Sequence, residues 1–292
     1  MRNATEANLT DAVLEKLDGA HDPRFKQIMS SLIRHMHAFI RETELTEQEW
    51  LTGIEFLTAT GRTCDDKRQE FILLSDTLGV SMLVDGINHR KPGGATETTV
   101  LGPFYMSGAK DMPMWADIAA GAPGHPAYVT GRVLDVTGNP IAGAVLDVWQ
   151  TDGEGFYDVQ RPGGNEHYAR GRFTTGADGR YGFRTVKPVS YPVPTDGPVG
   201  KMLLGMGRHP YRPAHVHVIA TAPDYERVAT HLFVEGDAYL DSDAVFGVKH
   251  SLVVAFKPHA PGSTPDGRTS AAPFSRADFD FRLVRQAVAD HR

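Results

Sequence analysis

Apolar positions in the first ninety residues recur at helical spacing. In "DPRFKQIMSSLIRHMHAFI" (22–40), Phe25, Ile28, Met29, Leu32, Ile33, Met36, Phe39 and Ile40 advance in steps of three and four, the signature of one apolar stripe on a helix. Asp22 stands where an N-cap belongs and Pro23 falls in the first turn. A second helix is expected over "TEQEWLTGIEFLTATG", with Thr46 and Glu49 at capping-box spacing and Gly61 as its stop. A third is expected over roughly 66–88, and His35 and His37 read as residues of a helix surface or core edge.

From about residue 126 the period drops to two. "YVTGRVLDVTGNPIAGAVLDVWQTD" reads as strand, turn, strand, and "RFTTGADGRYGFRTV" repeats that layout around Ala-Asp-Gly. "HVHVIAT", "HSLVVAF" and the terminal "FSRADFDFRLV" add further short strands. Asp178 and Asp196 sit in turns, where Asx chemistry accounts for them. The Gly/Pro-rich link "NHRKPGGATETTVLGPFYMSG" ends in an apolar run, which suggests a packed segment. The expected fold is α+β and mainly β: a helical region over 1–105, then an antiparallel β-sandwich over 106–292.

Composition narrows the function classes. The 292 residues are 41% hydrophobic and 23% charged, ordinary for a soluble globular chain. A formal net charge of -6 offers no basic footprint for nucleic acid or an anionic membrane. A single cysteine, Cys64, excludes an internal disulfide framework and fits a reducing cytoplasm; its charged setting marks it as structural or incidental. The N-terminal "MRNATEANLTDAVLEKL" has no apolar core of the kind a secretory signal needs, and the longest apolar-rich run (71–87) is interrupted by Asp76, Asp85 and two serines, so neither a secretory signal nor a membrane span is expected.

Candidate chemistry begins at "RPAHVHVIA" (212–220). On a strand His215 and His217 share one face about 7 Å apart along the chain, close enough to grip one small object. Two histidines alone are more often packed than ligating, and a metal wants three or four protein donors. Cysteine is absent from the β-rich half. Tyrosine is the less obvious donor: Tyr157 follows Gly153 and Gly155, and Tyr191 sits among four prolines in "KPVSYPVPTDGPVG", where the backbone presents a side chain in a set direction. An aromatic lid is the plain alternative for either. Two phenolates with two imidazoles would suit Fe(III) and leave one net positive charge, holding iron oxidised, so that the organic substrate rather than dioxygen must be activated. A zinc hydrolase built on the two histidines and a non-enzymatic β-sandwich binding module remain open at this point.

The segments "DVWQTDGEGFYD", "YGFRTVKPVSYPVPTDGPVGKMLLGMGRHPYRPAHVHV" and "HLFVEGDAYLDSDAVFGVK" resemble the intradiol ring-cleavage dioxygenases, non-haem Fe(III) enzymes that open catechols between their hydroxyls. "RQEFILLSDTLGVSMLVDGINHRKPGGATETTVLGPFY" is similar to the N-terminal dimerisation region and pocket edge of that family. The resemblance implies Tyr157, Tyr191, His215 and His217 as iron ligands. It implies Tyr191 as the ligand that leaves and serves as base, and Arg212 as a fixed charge over the substrate ring. Spacing alone would put Arg212 on the opposite strand face from His215 unless Pro213 bends the chain. The product implied is a cis,cis-muconate, and the partners implied are an aromatic diol, dioxygen and a second copy of the chain, with phospholipid held at the helical interface.

His231 in "THLFVEGD" stands where catechol-cleaving members typically have glutamine, which resembles the branch acting on benzene-1,2,4-triol (hydroxyquinol); catechol or a chlorocatechol is the alternative substrate. That resemblance implies a pocket of Leu73, Asp76, Leu101, Gly102, Pro103, Phe104, Val193, Arg212, His231 and Val245. Asp76 would be the acceptor for the third hydroxyl, and a buried carboxylate left without it would penalise catechol. His231 would help position oxygen or the ring, or simply pack on its strand.

Overall fold

The computed structural model describes residues 3–66, 68–161 and 168–287. Two compact units divide the chain at residues 59 and 60. The first holds α1 (Leu9–Glu15), α2 (Pro23–Thr43) and most of α3 (Glu47–Thr63). The capping signals act as their chemistry requires. Asp22 accepts from the backbone N–H of Arg24 at 2.8 Å and of Phe25 at 3.2 Å, and Thr46 and Glu49 bond reciprocally. Gly61 does not stop α3, which continues to Thr63. The single helix expected over 66–88 is two, α4 (Glu70–Thr77) and α5 (Val80–Asn88), because Gly79 between them is left-handed at φ 74°. A further helix, α6 (Pro198–Gly205), occupies part of the proline-rich stretch expected as loop, with Pro198 in its first turn.

The second unit contains fourteen strands among the described residues. They are β1 (Pro126–Asp135), β2 (Val145–Gln150), β3 (Arg170–Thr174), β4 (Arg180–Val186), β5 (Tyr191–Pro192), β6 (Tyr211–Arg212), β7 (His215–Thr221) and β8 (Val228–Val234), followed by β9 (Val253–Val254), β10 (Lys257–His259), β11 (Gly262–Ser263), β12 (Thr269–Ser270), β13 (Phe274–Asp278) and β14 (Phe281–Leu283). Two five-stranded sheets face each other: β10-β13-β1-β14 with β4 on β1, and β3-β2-β7-β8-β9. Most ladders are antiparallel, as short turns between period-two runs require. Three are parallel, β1 with β13, β1 with β14 and β8 with β9, because later chain returns alongside earlier strands instead of through a hairpin.

The core lies between the sheets. Val129, Val133, Phe183, Ala277 and Phe281 from one meet Leu146, Val148, Val216, Val218 and Leu232 from the other. The pleat of β7 divides its side chains accordingly. Val216, Val218 and Ala220 enter that core, while Ile219, on the other face, joins Trp149, Tyr157 and Tyr191 in a separate aromatic cluster. His215 and His217 share the face of Ile219, the outer face of the sheet. The link after α5 is packed along β8: Thr99 N–H bonds Ala229 O at 3.0 Å and Thr230 Oγ1 donates to Glu97 O at 2.8 Å.

Phe281 is fully buried and its ring lies 5.6 Å from that of Tyr181. Phe281→Ala is expected to cost about 3–5 kcal/mol in urea unfolding; a change below 1 kcal/mol would show that β14 is not part of the core.

Candidate metal centre

Strand register assembles the site. β7 pairs with β2 so that His217 faces Trp149, and with β8 so that His217 faces His231. The two-residue ladder of β5 with β6 sets Tyr191 beside Arg212. Tyr157 comes from the turn after β2, whose Asp152 carboxylate accepts from the Glu154 and Phe156 amides at 2.9 and 3.1 Å.

Four donor atoms converge. Tyr157 Oη lies 2.8 Å from His217 Nε2 and 2.9 Å from Tyr191 Oη, and the Nε2 atoms of His215 and His217 are 3.1 Å apart. His215 Nδ1 lies 2.7 Å from Pro213 O; a carbonyl only accepts, so Nδ1 carries the proton and Nε2 turns its lone pair inward. Donors bound to one first-row ion at about 2.0–2.2 Å stand about 3 Å from one another, the spacing seen in these three pairs. All four side chains are buried. Burial, reinforced by Arg212, pulls His215 down to about 3; burial and the neighbouring charges of His215 and Arg212 take His217 well below its usual value. Both imidazoles are therefore neutral, as ligands must be. Burial pushes the Tyr157 phenol well above its usual value, and raises Tyr191 against the opposing pull of Arg212. Such phenols ionise only against a cation, so the donor set fits a small hard metal ion.

The bend at Pro213 brings Arg212 to the same side as His215, with NH1 3.2 Å from His215 Nε2. Its other edge is held by Asp243, Nε to Oδ1 at 3.1 Å and NH2 to Oδ2 at 3.2 Å, with both side chains almost wholly out of water. Asp243 also accepts from the amides of Val245 at 3.2 Å and Gly247 at 2.9 Å. Burial would raise this carboxyl, yet Arg212 and these bonds hold it below the usual range. One edge of the guanidinium is thus spent on Asp243, and NH1 faces the donors.

The other residues singled out from the sequence divide. His231 is fully buried; it gives, with His215 and His217, three imidazoles from each of which one ring nitrogen lies within 4.8 Å of the others, and its Nε2 has no hydrogen-bond partner among the described residues. Phe104 stacks on Tyr157 with ring centres 4.5 Å apart, and a Cβ at Gly102 would stand 3.2 Å from His217 Cε1. Asp76 is buried in α4; burial raises its carboxyl, while Ser81 and Arg212 pull the other way. Leu73, Val193 and Val245 are buried on the elements that carry Asp76, Tyr191 and Asp243. Leu101, 37% exposed, and half-buried Pro103 flank Gly102 on the same segment. Asp196 is more than an Asx residue, since its carboxylate pairs with Arg68.

Three residues of the site escaped the sequence reading. Asp243 is one. Trp149 is another: it stacks on His217 at 4.6 Å and 10°, and the alternation of "VLDVWQ" already sets it opposite Leu146 and Val148. The third is Arg170, in a buried ion pair with Asp158, the residue after Tyr157, and 3.4 Å from Phe104 O. Asp243→Leu alone strands the Arg212 charge and is expected to cost about 3–5 kcal/mol in urea unfolding of the metal-free protein. Adding Arg212→Met should recover most of it; no recovery would mean the pair is not what holds the turn.

Residues 22–96 match the family model described as catechol dioxygenase N terminus, and residues 100–285 that described as dioxygenase. The chain is 51% identical over 283 residues to the 6-chlorohydroxyquinol 1,2-dioxygenase of Cupriavidus pinatubonensis, covering 97% of this chain and 99% of that one. It is 53% identical over 253 residues to a hydroxyquinol 1,2-dioxygenase of a Rhizobium species, covering 86% of each. Among solved structures, the hydroxyquinol 1,2-dioxygenase of Pseudomonas putida superposes with a TM-score of 0.89 at 51% identity, over 96% of this chain and 99% of that one. The catechol 1,2-dioxygenase of Pseudomonas arvilla does so at 0.84 and 29% identity, over 98% and 93%.

Proposed function

The chain belongs to the intradiol ring-cleavage dioxygenase family, and on that premise we propose that it uses Fe(III) and dioxygen to open hydroxyquinol between its adjacent hydroxyls. The product is 3-hydroxy-cis,cis-muconate, the enol of maleylacetate, within the degradation of aromatic compounds. The observation that carries this reading is the convergence of two buried phenols and two buried imidazoles within hydrogen-bond distance, with Arg212 NH1 beside them. The hydroxyquinol dioxygenases among its relatives support the choice of substrate.

Tyr157, Tyr191, His215 and His217 would hold the iron. Ferric iron supplies, when bound, Lewis acidity toward a substrate diolate and a place for electron density drawn from its ring. Tyr191 is the base for a substrate hydroxyl: the guanidinium beside it favours its phenolate, and Tyr157 Oη stands 2.9 Å away. Arg212, already fixed by Asp243, meets negative charge on the ring without reorganising. Asp76 accepts from the third hydroxyl, and His231 borders the ring or the oxygen. Burial of the whole set excludes water from the reacting centre.

The functional division runs at residue 105: the helical stretch 1–105 pairs two copies of the chain, with phospholipid at their interface, and 106–292 is the catalytic domain. Support comes from α2, whose Phe25, Ile28, Leu32, Met36 and Phe39 are 47% to 55% exposed in the single chain. The enzyme works in the cytoplasm, in keeping with its single cysteine. No helix among the described residues is long and apolar enough to cross a membrane.

Iron-loaded protein is expected to be red to burgundy from tyrosinate-to-iron absorption, and Tyr157→Phe and Tyr191→Phe should each lose most of that band. A colourless protein that takes up no iron overturns the reading. His231→Gln is expected to move the relative turnover of hydroxyquinol and catechol toward catechol by about tenfold, measured by product analysis; an unchanged ratio removes His231 from substrate choice.

A further inference from the structure

We infer that α4 is strapped at both ends by arginines, and that Arg68, Glu70, Asp196 and Arg208 are positioning residues for substrate choice because they hold Asp76 at its place over the site. The inference rests on the reading of Asp76 as acceptor for the third hydroxyl.

At the start of α4 one guanidinium bridges two elements. Arg68 Nε donates to Glu70 Oε2 at 3.0 Å, while NH1 and NH2 donate to the two oxygens of Asp196 at 2.8 and 3.0 Å. Glu70, with 1% of its side chain exposed, turns its other oxygen to the Val199 amide at 3.2 Å. That amide lies in the first turn of α6, where unpaired N–H groups favour a negative charge. Gly197 lies at the centre of the staple, and a Cβ there would stand 2.6 Å from Arg68 NH2 and collide with the Glu70 carboxylate. Any side chain would pry the two elements apart.

At the other end, Arg208 NH1 donates to Thr77 O at 2.6 Å and NH2 to Ala244 O at 2.9 Å. A cation thus satisfies a C-terminal carbonyl of α4 and ties it to the turn that carries Asp243 and Val245. Arg208 also lies over the Phe246 ring at 4.6 Å.

The straps join α4, with Leu73 and Asp76, to the two segments that complete the pocket. One carries Tyr191 and Val193 ahead of Asp196; the other carries Asp243 and Val245. An eight-residue helix moves as a rod, so a shift at either end is transmitted to Asp76, next to Thr77 and about 9 Å along the axis from Glu70. Catechol has no group for Asp76 to receive. Loosening a strap should therefore harm the triol more than catechol, whereas loss of general stability would harm both alike.

The test is a set of double-variant comparisons on iron-loaded enzyme. Asp196→Ala and Arg208→Met are made alone and combined with Asp76→Leu. The ratio of kcat/KM for hydroxyquinol over catechol is read with the ratio of their anaerobic Kd values, iron content and Tm. Each strap variant is expected to lower the kcat/KM ratio and to raise the Kd ratio by about three- to tenfold at unchanged iron content, and to change neither further once Asp76→Leu is present. A parallel fall for both substrates, or a strap effect that persists with Asp76→Leu, overturns the inference while leaving the Asp76 reading intact. If Asp76→Leu by itself leaves the ratios unchanged, that reading fails and the inference with it. Asp196 is 71% exposed, so its variant gives the comparison even if Arg208→Met does not fold.

Discussion

A pleated strand has two faces, and β7 commits both. Val216, Val218 and Ala220 are needed in the core between the sheets, which leaves His215 and His217 on the outside of their own sheet. An outer face would ordinarily meet water. Here it is covered by the segments bearing Phe104, Tyr157 and Tyr191, and everything at the centre depends on that cover. Were the histidines shifted by one residue, core and site would exchange places and both would fail. The stability of the sandwich and the aim of the ligands are therefore one constraint.

Covering a polar cluster is costly unless each group is answered. The structure answers most of them in pairs: Asp243 for Arg212, Asp158 for Arg170, Pro213 O for His215 Nδ1. His217 Nδ1 and His231 Nε2 remain without hydrogen-bond partners among the described residues. The charged pairs leave the centre with little net charge of its own, so two phenols that burial keeps neutral can ionise only by meeting a cation. A site of this kind binds metal through what it lacks as much as through what it offers. The pairing of Arg212 has a second effect. With Nε and NH2 engaged, the guanidinium presents a single fixed corner to the four donors, so its charge acts from one direction.

The segments around the four donors differ in construction from the elements that carry the donors. His215 and His217 sit on β7, locked by ladder bonds on either side, with Tyr191 on β5 and Tyr157 in the turn after β2, while Leu73, Asp76, Val193 and Val245 come from a short helix and two irregular segments. Such segments depend on side-chain ties for their placement, which explains why arginines bridge them.

Much of this was legible in the chain itself. Period and caps marked α2, the start of α3 and most strands, because these signals are local: an Asp before a Pro, a Thr three residues before a Glu, alternation through "HVHVIA". The two histidines share a face for the same local reason, and the long resemblance carried the tyrosines with them. What distance along the chain separates, the sequence left open. The register that sets Trp149 on His217, the return of β13 and β14 beside β1, and the partnerships of Arg212 with Asp243 and of Arg68 with Asp196 each join residues tens to more than a hundred positions apart. Local propensity carries no record of such pairings; packing decides them, since a buried charge accepts only the partner that the closed fold brings within reach. The sequence by itself determined which residues could bind a metal and on which faces they stand, and the tertiary structure alone decided which charges hold them there.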